Sequence, residues 1–384
     1  MRRGRLPRTP SLAAVLRHAA DRDDGFTLIE LMMATAVMVL VLAGALTAFT
    51  NAMHVNSLGQ QISDSSHSLR SGANLLERDL MQAGRKIPTG GIPIPNGTGA
   101  TAINRPGPPG TAYTFNNTTQ TTLSAITTGW QLGPIINLAT TDMVTFLMID
   151  PLLGDTKVCD STTALPANTA VLQNDGSSMT LTGTTSTTGF NWLTGDPTNG
   201  VAPVQTGDLI WFNTGATAIR SVTSTDASKI YFAASDWFNF NQSAAAQGTL
   251  FSLKSGSPGP FPCGFAAARL LMYTYYIDAT TVPGTPRLTR QMNHFPARAL
   301  AGVLESLNLS YDLVDGVNNP TLVTSLPYTD TGSGLVYTAT QIRKVNLRLG
   351  VRSDTLSSQT RDYIRTQLAT VISLRNLAFV DRYQ

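Results

Sequence analysis

Between Leu31 and Met53 the chain carries no charged side chain. A run of that kind, about 20 residues or more, is what an α-helix needs to cross a bilayer. A single carboxylate, Glu30, stands at its entrance. An unpaired carboxylate costs roughly 2.5–3.5 kcal/mol at the bilayer centre and less near its edge, so Glu30 calls for a specific partner. The rest of the chain has to be organised around this segment.

The chain has 384 residues, of which 13% are charged. Two average domains would fit in that length, but the N-terminal segments remove part of it, and one large domain over 87–384 is the simpler reading. Abundant Thr, Ser, Asn and Gly predict a surface made soluble by neutral polar groups, as is common outside the cytoplasm. The formal charge of +3 comes from residues 1–25, where Arg2, Arg3, Arg5, Arg8, Arg17 and Arg22 face Asp21, Asp23 and Asp24. Removing these from the chain's 27 basic and 24 acidic residues leaves 21 of each. Global charge thus gives no argument for nucleic-acid binding. The leader's arginines fit a cytoplasmic N-terminus with the remainder exported.

Past the apolar run, Val55, Leu58, Ile62, Ser65, Leu69, Ala73, Leu76 and Leu80 recur in steps of three or four. This is a helical stripe. Asn56, Gln60, Gln61, Asp64, His67, Arg70, Glu77, Arg78 and Asp79 are assigned to its wet face, and Gly84 with Pro88 supplies a stop. A continuous helix over 26–86, roughly 90 Å long at 1.5 Å per residue, is predicted, with 28–50 as its membrane span. Gly44, Gly59 and Gly72 inside it mark either a bend, a close contact or tolerated glycines.

Residues 87–140 are rich in Pro, Gly, Thr and Asn and read as exposed loop, as does Ser177 to Gly189 around a short strand at Met179-Thr180-Leu181. Strands are predicted at Met143–Ile149, Asp208–Phe212, Lys229–Phe232 and Leu270–Ile277. Leu307, Leu309, Tyr311 and Leu313, and again Val345, Leu347, Leu349 and Val351, alternate with polar residues, the mark of strands with one wet face. The fold class is α+β: a long N-terminal helix packed on an antiparallel β-sheet domain with long polar loops.

Gly25-Phe26-Thr27-Leu28-Ile29-Glu30, between a basic leader and an apolar run, resembles the processing site of type IV prepilins and type II secretion pseudopilins. Pro262-Cys263-Gly264-Phe265, Tyr275-Tyr276-Ile277-Asp278, Pro286-Arg287-Leu288-Thr289-Arg290, Gly302 to Leu307, Arg343 to Ser353 and Val371 to Asn376 resemble the PilW family of minor type IV pilins. The resemblance implies a non-enzymatic minor pilin without cofactor. Its leader, 1–25, is removed by a prepilin peptidase that also methylates the new terminus, and its periplasmic domain spans 87–384. It implies insertion in the inner membrane, partnership with minor and major pilins, and incorporation into a pilus or its tip complex. A J-type pseudopilin and a membrane-tethered binding protein or adhesin are the alternatives, and a secretory signal cut near Ala43-Gly44-Ala45 is the competing reading of the segment.

The resemblance implies a cleavage site between Gly25 and Phe26, and glycine suits the residue before the cut because it leaves the extended backbone unobstructed. By resemblance, Phe26 is the N-methylated residue and Glu30, one helical turn on, pairs with the terminal amine of a neighbouring subunit. Cys159 and Cys263, the only cysteines, suggest a disulfide in an oxidising compartment, worth roughly 4–5 kcal/mol for a loop of about 100 residues; two separate thiols are the alternative. His18, His54, His67 and His294 are too dispersed for a His-rich metal site. Asp150, Asp155 and Asp160 lack the Gly and Glu of a calcium loop and are read as solvated loop carboxylates. Trp192, Trp211, Trp237, Phe238 and Phe240 are read as core rather than as an adhesive surface.

Overall fold

The computed structural model describes residues 26–160, 168–181, 186–254, 259–357 and 361–377. One helix, α1 (Leu28–Met81), runs without interruption through Gly44, Gly59 and Gly72. Residues up to 60 and from 61 onward form two separate units.

In the first unit the apolar side chains from Phe26 to Met53 are exposed, 87% at Phe26 and 58% at Met53, and the segment is long and apolar enough to cross a membrane. In the second unit α1 buries Ser65, Leu69, Gly72, Ala73, Leu76, Asp79 and Leu80, so the packed stripe starts at Ser65 rather than Val55. The helix ends five residues earlier than the sequence predicts. Gln82 and Ala83 donate to the carbonyls of Asp79 and Leu80, tightening the last turn, and the Gly84 N–H leaves the helix to donate to Leu147 O at 2.8 Å. Gly84 has φ +79°, and a Cβ there would lie 2.6 Å from Leu377 Cδ2. That explains why the chain turns at this residue.

A twelve-stranded sheet forms the centre of the second unit. Its strands include β1 (Ile126–Gly129), β2 (Met143–Ile149), β3 (Asp155–Asp160), β4 (Thr169–Leu172), β5 (Ser178–Thr180), β6 (Leu209–Asn213), β7 (Thr217–Ser221), β8 (Lys229–Tyr231), β9 (Phe265–Asp278), β10 (Arg287–Met292) and β11 (Arg298–Ala301). Among the described residues all its strand pairings are antiparallel except β3 with β4. A separate three-stranded antiparallel sheet runs in the order β12 (Leu304–Leu313), β13 (Ile342–Arg352), β14 (Arg365–Ser373).

β9 is shared by two halves of the large sheet. Its first half pairs with β6 on one side and β3 on the other; its second half pairs with β10 and β2. One face of β2 and β9, including Phe146, Tyr273, Tyr275 and Ile277, packs with Leu69, Leu76 and Leu80 of α1 and with Leu307, Leu347 and Ile372 of the smaller sheet. The other face, Leu147, Ile149, Leu270 and Met272, packs with Ile92, Ile94, Ile103, Phe115, Leu123, Phe238 and Phe240. A third cluster around Trp192, Phe212, Phe232 and Phe261 fills the lobe at the start of β9. β2 is therefore buried at every position, whereas β12 alternates. The difference between continuous and alternating apolar runs is the difference between two covered faces and one.

Residues 87–140 correct the loop expectation. They contain seven short strands from Ile92–Pro93 to Ala139–Thr140, and Ile92, Ile94, Ile103, Phe115 and Leu123 cover one face of the sheet. The expected strand at 179–181 occurs as β5; residues 182–185 of that stretch lie outside the described residues.

Candidate assembly site

Thr27 is the residue before α1, and Glu30 lies in its first turn. Glu30 Oε2 accepts from the Thr27 N–H at 3.0 Å and from the Thr27 hydroxyl at 2.9 Å, while Thr27 Oγ1 accepts from the Glu30 N–H at 3.3 Å. This reciprocal pair is a capping box: each side chain satisfies an amide that the helix leaves unpaired. Its signature, Thr27-x-x-Glu30, stands in the sequence. The box aims the carboxylate back toward the chain's start and spends one oxygen there. Oε1 has no partner among the described residues, so the group keeps capacity for an outside cation. Gly25 and the leader lie outside the described residues, and Phe26 stands exposed.

The second carboxylate of interest on the helix, Asp79, overturns its assignment to the wet face. It is 3% exposed. The Tyr275 hydroxyl donates to its Oδ2 at 2.7 Å, and Arg290 Nε lies 2.8 Å from the same oxygen, an ion-pair contact rather than an aligned hydrogen bond. The Arg290 guanidinium also covers the Tyr273 ring, 4.0 Å from its centroid. Burial, then the Asp79 charge, pushes the Tyr275 phenol well above its ordinary range. Next to it, Gly72 lets α1 approach the sheet: a Cβ there would sit 2.9 Å from Ala301 Cβ and 3.1 Å from Leu288 Cδ2. Of the three helix glycines this one marks a close contact; Gly44 and Gly59 have open space around them.

Cys159, on β3, and Cys263, just before β9, are brought together with Cα atoms 4.0 Å apart and joined by a disulfide. The Gly264 N–H donates to Val158 O beside them at 2.9 Å. Asp150 and Asp160 are buried, not solvated. Asp150 Oδ2 accepts from Arg269 Nε at 2.8 Å, and Asp155 sits 3.6 Å from Lys86. Arg269 Nη1 also reaches within 3.8 Å of Asp208, which accepts from Asn293 Nδ2 at 3.2 Å and from the Gln205 N–H at 3.0 Å. Asp150 follows β2, Asp208 precedes β6 and Asn293 follows β10, so this cluster closes the point where β9 exchanges its neighbours. Burial lifts the Asp208 carboxyl to about 6 against the pull of Arg269. No group of three metal-ligating side chains occurs among the described residues. Trp192, Trp211, Phe238 and Phe240 are buried, while Trp237 is 39% exposed and stacks on His294 with ring centroids 3.9 Å apart.

Residues 21–46 match the prokaryotic N-terminal methylation motif. Together with the apolar helix this supports a type IV pilin- or pseudopilin-like protein, of the kind that prepilin peptidases process. No curated protein and no solved structure matches the chain. The fold is that of the class: one long N-terminal helix packed through its second part on a largely antiparallel β domain.

Proposed function

We propose that the chain is a PilW-like minor type IV pilin, anchored by residues 28–50 in the inner membrane with its N-terminus cytoplasmic and residues 87–384 periplasmic. In this reading it is cleaved after Gly25, methylated at Phe26 and incorporated with other pilins into a pilus or its priming tip complex. The observation that carries the reading is the contrast within α1. Its first part buries nothing against its own chain and opens with a carboxylate only half satisfied, which is what a subunit needs if membrane lipid first, and neighbouring helices later, are to cover it. The methylation motif over residues 21–46 and the PilW-like segments in the C-terminal third support it. The Cys159–Cys263 bond fits a periplasmic domain, since disulfides persist in oxidising compartments.

Intact-mass analysis of the membrane-extracted protein tests the processing step: it should show loss of residues 1–25 and one added methyl, while a terminus after Ala45 would establish an ordinary signal peptide. Deletion should abolish pili and leave protein secretion intact; the reverse outcome would make the chain a J-type pseudopilin. Pili of normal number after deletion, with unimpaired secretion, would leave the membrane-tethered adhesin reading. Peptide mapping without reductant should recover the Cys159 and Cys263 peptides linked, and free alkylation of both thiols would remove the bond.

A further inference from the structure

β14 is the outer strand of the three-stranded sheet and pairs only with β13, in a register from Lys344 opposite Ser373 to Arg352 opposite Arg365. In an antiparallel ladder every second residue of such a strand turns its N–H and C=O away from the sheet. None of those outward groups between Arg365 and Ser373 has a backbone partner elsewhere among the described residues. Edge strands are ordinarily blunted by proline, bulges, short length or charge. Past Arg365 at its start, this one has none of these devices: its register with β13 is unbroken over nine residues, and no proline and no charge occur from Thr366 to Leu374. Gln367, Ala369, Val371 and Ser373 are exposed, with Val371 at 57%, while Ile372 on the other face is buried and fixes the register.

A row of outward amides and carbonyls at strand spacing is matched by another extended backbone and by little else. The charges around the edge decide whose. Lys344 and Arg348 on β13 and Arg375 just past β14 are exposed and form no ion pair among the described residues. At the opposite end, Arg365 is already engaged by Glu305 at 2.8 Å and Asp362 at 3.2 Å. Of the chain from 342 to 384, eight residues are basic and three acidic, an excess of five positive charges, although residues 26–384 as a whole sum to zero. Two copies joined antiparallel through β14, centred on Ala369, would set Arg365 of each copy diagonal to Arg375 of the other, a like-charge neighbourhood that disfavours self-pairing.

We propose that β14 is an acceptor edge for strand addition by a different polypeptide, an uncharged extended segment with carboxylates at the end that lies by Lys344 and Arg375. The inference holds whether the appendage is a pilus or a secretion pseudopilus, because it uses only the exposed edge of the C-terminal sheet.

Hydrogen exchange resolved to single amides, on the full chain in detergent, tests it with a synthetic nine-residue peptide that alternates valine and threonine and carries two glutamates at one end. In the free protein, alternate amides from Thr366 to Ser373 should exchange rapidly. Saturating peptide should slow them by about tenfold or more. The same peptide methylated on alternate backbone nitrogens should not, and a lysine-ended version should bind about threefold weaker for each charge pair lost. The double variant K344E/R375E, altered only at exposed side chains, should invert the preference between the two peptides. Three results overturn the proposal: slow exchange of these amides in the free chain at every concentration, which means the chain covers its own edge; protection that rises with protein concentration alone, which means self-pairing; or no protection by any of the peptides.

Discussion

Glu30 and Asp79 are carboxylates on one helix, and their surroundings are opposite. Glu30 is exposed, and among the described residues its side chain bonds only to Thr27, three residues away. Asp79 is buried and held by Tyr275 and Arg290, both far along the chain. A carboxylate with partners inside its own fold reports on stability, and one left with unused capacity reports on what lies outside the chain. The same contrast runs through the residues around them: Leu76 and Leu80 near Asp79 are buried, while Phe26, Leu28, Ile29 and Leu31 near Glu30 are exposed.

The largest effect should come from breaking the buried pair. Asp79→Ala leaves the Arg290 cation and the Tyr275 hydroxyl without their acceptor in a desolvated site, at a cost of about 3–5 kcal/mol. Urea unfolding of the detergent-solubilised chain, followed by Tyr and Trp fluorescence, measures it. Asp79→Asn keeps one oxygen for Tyr275 and should lose less. A loss below 1 kcal/mol for Asp79→Ala would mean that Arg290 finds water instead, and that the contrast with Glu30 is one of geometry only.

A second buried carboxylate sharpens the point with the opposite sign. Asp208 titrates at about 6 in the folded chain, above its unfolded value near 4, because burial outweighs Arg269. The folded state therefore binds more protons than the unfolded state between those values, and this group's contribution to stability falls as pH rises from 4 to 6. Removing the ionisable group by Asp208→Asn should make the variant more stable relative to the native protein by about 2–3 kcal/mol at pH 7 than at pH 4. Parallel unfolding curves at both pH values check it, and an unchanged difference would show that Arg269 already neutralises the site.

What was legible in the sequence follows from the same physics. Local signals are legible: the apolar run, the alternation in β12 and β13, and the helical stripe predicted from Val55 to Leu80, of which the part from Ser65 is buried. Long-range pairing was not. Nothing near Asp79 in sequence announces Tyr275 or Arg290, so its charge alone sent it to the wet face. Ile92, Ile94, Ile103, Phe115 and Leu123 follow no period, since each enters the core from an irregular segment, and the surrounding Pro, Gly and Thr disguised them as exposed loop. Asp150 and Asp160 were likewise read by type rather than by partner. At the N-terminal site Glu30 stood out by its isolation, whereas its bond to Thr27 was missed although the four-residue Thr27-x-x-Glu30 signature carries it.

The helix glycines give a smaller effect that divides the helix at its burial. Gly72→Ala forces a Cβ within 2.9 Å of Ala301 and 3.1 Å of Leu288, and should cost about 1–3 kcal/mol because the sheet has to shift. Gly59→Ala meets nothing within 4 Å and should stabilise its part of the helix by up to about 1 kcal/mol. Helicity and unfolding midpoints of the two variants should therefore move in opposite directions, and movement in the same direction would undo the division.

Glu30 should move stability least and assembly most. Glu30→Ala loses the reciprocal bonds of the capping box and the favourable carboxylate at the helix start, an exposed arrangement worth at most about 1 kcal/mol. Insertion and cleavage should persist, since removing a charge eases burial of the segment in lipid. Recovery of the processed protein with other pilins should nevertheless fall, because the neighbour's terminal amine would be left without its anion where water is scarce. Two further variants separate the inside role from the outside one. Glu30→Gln keeps an oxygen able to accept from the Thr27 N–H and so keeps most of the cap, but it lacks the charge and should fail in assembly nearly as badly as alanine. Thr27→Val removes the hydroxyl that donates to Oε2 and accepts from the Glu30 N–H, while sparing the carboxylate, and should assemble close to normally despite a frayed first turn. If Thr27→Val failed as completely as Glu30→Gln at matched levels of processed protein, the capping box itself would be the assembly determinant, and Glu30 would share with Asp79 the role of a residue whose partner lies within its own chain.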